Sequence, residues 1–228
     1  MSESSFKREI SSFVRREGRI SKRQERAMSE YWPKLGLEVA NGVPDYAEVF
    51  GNASPLVLEI GFGMGGSLVE MAKAHPELNY LGIEVHTNGV GAILADIHDE
   101  TIPNLRIFKE DAKDVLQSCI ANNSLSCIQV FFPDPWHKKK HNKRRLIQPE
   151  FVEFLSTKLQ VGGELHLATD WQHYAEQMME VMTASDAFIN VNGEGEYLKA
   201  QARRPETKFE RRGMRLGHGV WDLLFELI

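Results

Sequence analysis

The chain has 228 residues, with 27 lysines and arginines against 32 aspartates and glutamates and a net charge of −5. That length suits one large α/β domain with a sizeable core, and no apolar run reaches the roughly 18 residues of a membrane-spanning helix. The acidic balance alone would exclude a polyanionic partner, but 22 of the 27 cationic residues fall in segments 1–34, 137–145 and 199–215. An acidic globule therefore carries three basic appendages, the pattern expected when separate segments converge on a nucleic acid.

Residues 1–34 are polar and basic with no apolar leader core, and predict a marginal helix or an arm whose order depends on a partner. A loop is expected next, through Pro33, Gly36, Gly42 and Pro44. The expected location is the cytoplasm, where Cys119 and Cys127 stay reduced. From Leu56 onward, apolar runs at 56–60, 80–85, 105–108, 127–132 and 164–168 read as buried strands. Helix-like segments near 64–75, 87–98, 112–121, 149–160 and 171–184 alternate with them, which predicts βαβ units and a parallel sheet with right-handed crossovers. Residues 187–191 and 219–227 read as two further strands, able to pair antiparallel at one edge.

A carboxylate stands at the end of every one of the five parallel strands: Glu59, Glu84, Asp111, Asp134 and Asp170. Ligands of open parallel sheets bind at that edge, so these acids predict a negatively lined crevice. The first strand runs into LVLEIGFGMGG, whose Gly61, Gly63, Gly65 and Gly66 turn the chain sharply into a helix. This run satisfies G-x-G-x-x-G, and Glu84 lies 18 residues beyond it, so a nicotinamide-dependent oxidoreductase fits the spacing. Glu59 opposes that reading, because a pyrophosphate would lie against its charge, whereas the sulfonium of S-adenosylmethionine would be attracted.

The segment EIGFGMG resembles the E-x-G-x-G-x-G of class I S-adenosylmethionine-dependent methyltransferases. The resemblance implies a Rossmann-like α/β fold with helices on both faces of a seven-stranded, mostly parallel sheet containing one antiparallel strand. It also places Glu59, Gly61, Gly63 and Gly65 at the methionine moiety, Glu84 at the ribose and Asp111 at the adenine.

After the fourth strand comes FPDPWHKKKHNKRR, in which flanking prolines restrict the backbone at Asp134 and six cations follow within nine residues. Trp136 is placed either to stack on a base or to pack on the sheet edge. His137 and His141 stand four apart, but no acid or cysteine in the run completes a metal site, and no metal is expected. This segment resembles the signature of bacterial tRNA (guanine-N7)-methyltransferases; SFVRREGR at 12–19 and TKFERRG at 207–213 resemble two further segments of that family. The resemblance implies that Asp134 is the central active-site acid, reaching both cofactor and base. It further implies that Lys138, Asp170, Thr207, Lys208, Phe209 and Glu210 contact substrate, and that Lys140, His141, Asn142, Lys143, Arg144 and Arg145 bind tRNA.

The expected activity is methyl transfer from S-adenosylmethionine to N7 of a variable-loop guanine in tRNA, leaving S-adenosylhomocysteine. Residues 1–45 are read as a basic arm, 46–228 as a single catalytic domain, and the assembly as a monomer or homodimer. Besides the oxidoreductase, two other readings stay open: a noncatalytic RNA-binding protein on this fold, and an amino-group methyltransferase, since PDPW loosely resembles a D-P-P-Y loop.

Overall fold

A computed structural model describes residues 18–198, 203–206, 210 and 219–228. Its centre is an eight-stranded sheet in the order β1-β4-β3-β2-β5-β6-β8-β7. The strands are β1 (Gly36–Leu37), β2 (Leu56–Ile60), β3 (Asn79–Ile83), β4 (Leu105–Phe108), β5 (Leu125–Phe131), β6 (Leu159–Thr169), β7 (Phe188–Asn190) and β8 (Trp221–Leu227). The first six pair in parallel, and β8 runs antiparallel to both β6 and β7. The central strands have side chains buried on both faces, which is why they read as continuous apolar runs rather than alternating ones.

The helices are α1 (Lys22–Glu30), α2 (Trp32–Leu35), α3 (Tyr46–Phe50), α4 (Gly66–Ala74), α5 (Thr87–Asp99), α6 (Ala112–Ser118), α7 (Pro149–Ser156) and α8 (Gln172–Thr183). They form a layer on each side of the sheet. On one face Leu68, Met71, Val90, Ile93 and Leu94 of α4 and α5 pack with Val57, Tyr80, Leu105, Ile107 and Phe131. On the other, Val115, Leu116, Phe151, Leu155, Tyr174 and Met178 of α6, α7 and α8 pack with Leu58, Ile83, Ile128, Val130 and Leu165. No helix among the described residues is long and apolar enough to cross a membrane.

The strand boundaries agree with the apolar runs to within a few residues, except that β6 starts five residues early. The N-terminal region differs more. The loop expected around Gly36 instead contributes β1, paired in parallel with β4, and adds an eighth strand to the expected seven. Before it, α1 starts with a capping box in which Ser21 and Gln24 satisfy each other's backbone N–H groups. This helix lies on α5: Ala27 is fully buried, and Gln24 Nε2 donates to the Asn88 carbonyl at 2.9 Å. Gly91 of α5 permits the approach, since a Cβ there would stand 2.8 Å from Gln24 Cβ. Arg23 binds Asp96 and Asp99 at 2.8 and 2.6 Å, and Arg26 binds Glu30, so part of the basic N-terminal segment is engaged in holding the helix.

Candidate active site

Strand order reverses between β2 and β5, where Glu59 and Asp134 stand at the ends of neighbouring strands; Glu84, Asp111 and Asp170 follow β3, β4 and β6 at the same edge of the parallel sheet. After β2, Gly61, Gly63 and Gly65 all take positive φ, at 77°, 60° and 82°. A Cβ on Gly61 or Gly63 would meet nothing within 4 Å, so there is open space above both. The turn is held from beneath. Gly61 N–H donates to the Ile83 carbonyl at 2.8 Å, and Glu84 Oε2 accepts from Gly63 N–H at 2.9 Å. Glu84 Oε1 accepts from the N–H groups of Val85 and His86 at 2.7 and 3.0 Å. The carboxylate expected at the ribose thus already pins the glycine turn to the end of β3. Gly89 of α5 must also be small, since its Cβ would stand 2.0 Å from the Gly63 carbonyl oxygen.

Glu59 differs from its neighbours. It is 3 % exposed, and its Oε2 has no hydrogen-bond partner among the described residues. Burial pushes its pKa up to about 8, with nearby Arg204 opposing the rise and Glu84 adding to it. A buried carboxyl two residues before an open glycine fits a cationic ligand, whose charge would favour its ionised form. These residues accordingly fit S-adenosylmethionine. Asp111, at the end of β4, caps α6 by accepting from Lys113 N–H at 2.9 Å, and Asp170 stands half-buried after β6.

The turn after β5 is of another kind. Asp134 is exposed, and its Oδ1 accepts from Trp136 N–H at 3.0 Å. The residues flanking the two prolines, Phe132 and Trp136, have φ of 52° and 45°. Bulky aromatic residues there cost about 1–3 kcal/mol each, so the loop is held strained rather than merely restricted by its prolines. Trp136 carries the Arg144 guanidinium 4.9 Å over its ring and the edge of His141 at 5.8 Å, which makes it part of a stack within the loop.

The cations beyond it do not share one role. Residues Lys139–Arg144 form a 3-10 turn from which Lys138, Lys139, Lys140 and Lys143 are exposed. Desolvation and the surrounding Lys140, Arg144, Lys138 and Lys143 lower the pKa of His141. His137 and His141 face different tryptophans, Trp171 and Trp136. Among the described residues no cluster of His, Cys, Asp and Glu is arranged to hold a metal. The Asn142 carbonyl accepts from Gln148 Nε2 and from Arg145 N–H, which fixes the turn. Arg145 stands apart from the other cations of the run. It is 4 % exposed, and its guanidinium donates to the carbonyls of Pro135 and His173 and to Gln177 Oε1, so it faces the protein rather than an RNA.

Glu210 is fully buried and takes both terminal nitrogens of Arg204, at 2.6 and 3.2 Å, so it is an ion-pair partner inside the protein. Arg204 also forks onto Asp222 of β8 at 2.7 Å through two nitrogens, and His166 of β6 donates to the same Asp222 at 2.9 Å. Burial raises the pKa of Asp222, but the hydrogen bonds from His166 and Arg204 outweigh it and hold the carboxyl below the usual range. Sequence reading missed this network. Its signal was a polar residue set between apolar ones in each of two strands, His166 between Leu165 and Leu167 and Asp222 before Leu223 and Leu224. Thr207, Lys208 and Phe209, and the first segment of the family resemblance up to residue 17, lie outside the described residues.

Residues 53–223 match the family described as "Putative methyltransferase". The chain is similar to the tRNA (guanine-N(7)-)-methyltransferase of Pseudoalteromonas translucida, 58% identical over 98% of this chain and 93% of the relative. It is similar also to the proteins of that name from Salmonella typhimurium, 55% identical, and Escherichia coli O139:H28, 54% identical, each over 97% of this chain and 92% of the relative. Among solved structures, the 16S rRNA methyltransferase KamB superposes with a TM-score of 0.59 at 15% identity, over 81% of this chain and 94% of that one, a likeness of fold. With an open glycine turn, a buried acid and a fixed loop aspartate at the sheet's reversal point, and with relatives this similar over nearly its whole length, the chain belongs to the tRNA (guanine-N(7)-)-methyltransferase family.

Proposed function

We propose that this protein transfers the methyl group of S-adenosylmethionine to N7 of a variable-loop guanine in tRNA, leaving S-adenosylhomocysteine. The observation that carries the reading is the pairing, at the ends of adjacent strands, of a buried Glu59 whose Oε2 has no hydrogen-bond partner among the described residues, followed by open glycines, with an exposed Asp134 that accepts from Trp136 N–H. The names of the relatives at 54–58% identity support it. When bound, S-adenosylmethionine supplies a methyl group on a positively charged sulfur.

Glu59 offers the countercharge on the donor side, with the turn at Gly61 and Gly63 leaving room for the methionine moiety. Glu84 and Asp111 stand at the ends of the next two strands, on the side expected for ribose and adenine. Guanine N7 already presents an in-plane lone pair, so no residue need remove a proton before attack. Asp134 therefore acts by accepting hydrogen bonds from the guanine N1–H and N2–H₂ and by stabilising the positive charge that develops on the purine. Holding the two reactants in line contributes up to about 7–11 kcal/mol in favourable cases, which rewards a loop that cannot drift. Exposing a stacked guanine costs roughly a few kcal/mol, offset by phosphate contacts from Lys138, Lys139, Lys140 and Lys143.

The names of the relatives favour methyl transfer over dinucleotide chemistry at this turn, and Asp134 has no role in a protein that only binds RNA. The test is to supply labelled S-adenosylmethionine with bulk tRNA lacking the modification, digest it and identify the labelled nucleoside. N7-methylguanosine is the expected product; label on adenine, or no transfer, overturns the assignment.

A further inference from the structure

We propose that Arg145 and Arg204 are positioning residues that grip the strained loop at Asp134 from opposite faces of the sheet, the first through the Pro135 carbonyl and the second through the rings of Phe131 and Phe132. The proposal rests on the functional reading above for what the loop does. It does not rest on it for how the loop is held.

From the face covered by α7 and α8, the buried Arg145 donates through Nε to the Pro135 carbonyl at 2.9 Å, the peptide next to Asp134. The rest of its guanidinium is fixed to α8, by the His173 carbonyl at 3.2 Å, Gln177 Oε1 at 2.5 Å and the Tyr174 ring 4.8 Å beneath. These anchors are themselves tied down, since the Tyr174 hydroxyl accepts from Ile147 N–H and Gln177 Nε2 donates to the Ile147 carbonyl. From the other face, the Arg204 side chain is wholly buried, oriented by forks to Glu210 and Asp222, and its guanidinium lies 5.1 Å from the Phe132 ring and 5.5 Å from that of Phe131. Phe132 is the residue with φ of 52°, and Pro135 precedes Trp136 with φ of 45°. Each arginine therefore bears on one end of the strained segment. Strained backbone persists only where the surroundings over-determine it, and two oriented cations supply that determination. Geometry that depends on them should be felt in turnover more than in tRNA affinity.

The test compares the full chain carrying Arg145→Met, Arg145→Lys or Arg204→Lys with the wild type. One readout is amide hydrogen exchange at Phe132, Asp134 and Trp136 relative to Leu56–Ile60, taken without tRNA; the other is kcat per cofactor-binding site, with KM for tRNA and its salt dependence. The proposal expects faster exchange in the loop alone for all three variants. It expects kcat to fall about 10- to 100-fold in Arg145→Met and less in Arg145→Lys, with KM and the salt slope within twofold of wild type. A raised KM, a salt slope smaller by about one and unaltered loop exchange would make Arg145 a phosphate contact and overturn the proposal. Uniform loss of stability with normal kcat per competent site would overturn it equally. If Arg145→Met does not fold, Gln177→Leu removes one acceptor of the same guanidinium and is read by the same exchange. Should the wild type methylate no guanine, the functional reading fails while the exchange data still decide the grip.

Discussion

The two turns that meet at the site solve different problems. The turn after β2 is made of glycines, borders open space and follows a buried Glu59 whose Oε2 has no hydrogen-bond partner among the described residues. The turn after β5 has bulky residues in the left-handed region, a carboxylate in the open and a buried arginine on each face. On the proposed function, the first turn receives the charge of the methyl donor and the second holds the direction of the acceptor. A site that moves a methyl group between two bound molecules needs both, because positive charge leaves one side and arrives at the other.

Substitutions at four places break or sharpen this contrast. Asp134→Asn has the largest expected effect, a fall in kcat of about 10²–10³, or roughly 3–4 kcal/mol of barrier, with cofactor affinity kept. Equilibrium binding beside steady-state rates checks it, and a rate near wild type would remove Asp134 from the chemistry.

Glu59→Gln is expected to separate stability from binding. The folded pKa of about 8 lies above the ordinary value of 4.5, so folding favours the protonated form. The stability this gives the wild type is complete below pH 4.5 and is lost as the pH rises toward 8. Glu59→Gln has no such loss. It should match the wild type near pH 4.5 and exceed it near pH 8 by a few kcal/mol, while binding S-adenosylmethionine more weakly. Thermal melts across that range are the check, and parallel curves would show that Glu59 is ionised in the free protein.

Gly89→Ala comes next. Its Cβ would meet the Gly63 carbonyl oxygen at 2.0 Å, so α5 or the turn must shift, at about 1–3 kcal/mol in stability, with cofactor affinity reduced. Gly66→Ala, where a Cβ meets nothing within 4 Å, is the control that should change little. The smallest single effects belong to Lys138, Lys139, Lys140 and Lys143. Replacing each by Ala should raise KM for tRNA modestly and reduce the slope of log affinity against log salt by about 0.9 for each phosphate no longer neutralised.

The sheet was legible because its strands are buried on both faces and so appear as bare apolar runs, each ending in an acid. The glycine turn was legible because its residue types are required by φ. What stayed hidden depended on tertiary packing. Arg145 closes a run of six cations and looks like its neighbours, yet only it turns inward, since α8 offers Gln177 and the His173 carbonyl. Glu210 reads as a loop acid until Arg204 is found beside it. Strand β1 is two residues long and carries no periodicity to read, and the face that α1 lays on α5 is a tertiary contact, although its capping box at Ser21 and Gln24 could have been read locally.

The central claim is that the fixed carboxylate after β5 presents guanine N7 to a methyl donor held after β2. The most direct measurement is to treat unmodified tRNA with enzyme and S-adenosylmethionine, reduce it, cleave with aniline at N7-methylguanosine, and map the break. The account predicts one enzyme-dependent break, at a guanine of the variable loop, absent with Asp134→Asn at matched time. No break, or breaks scattered over many guanines, would contradict it.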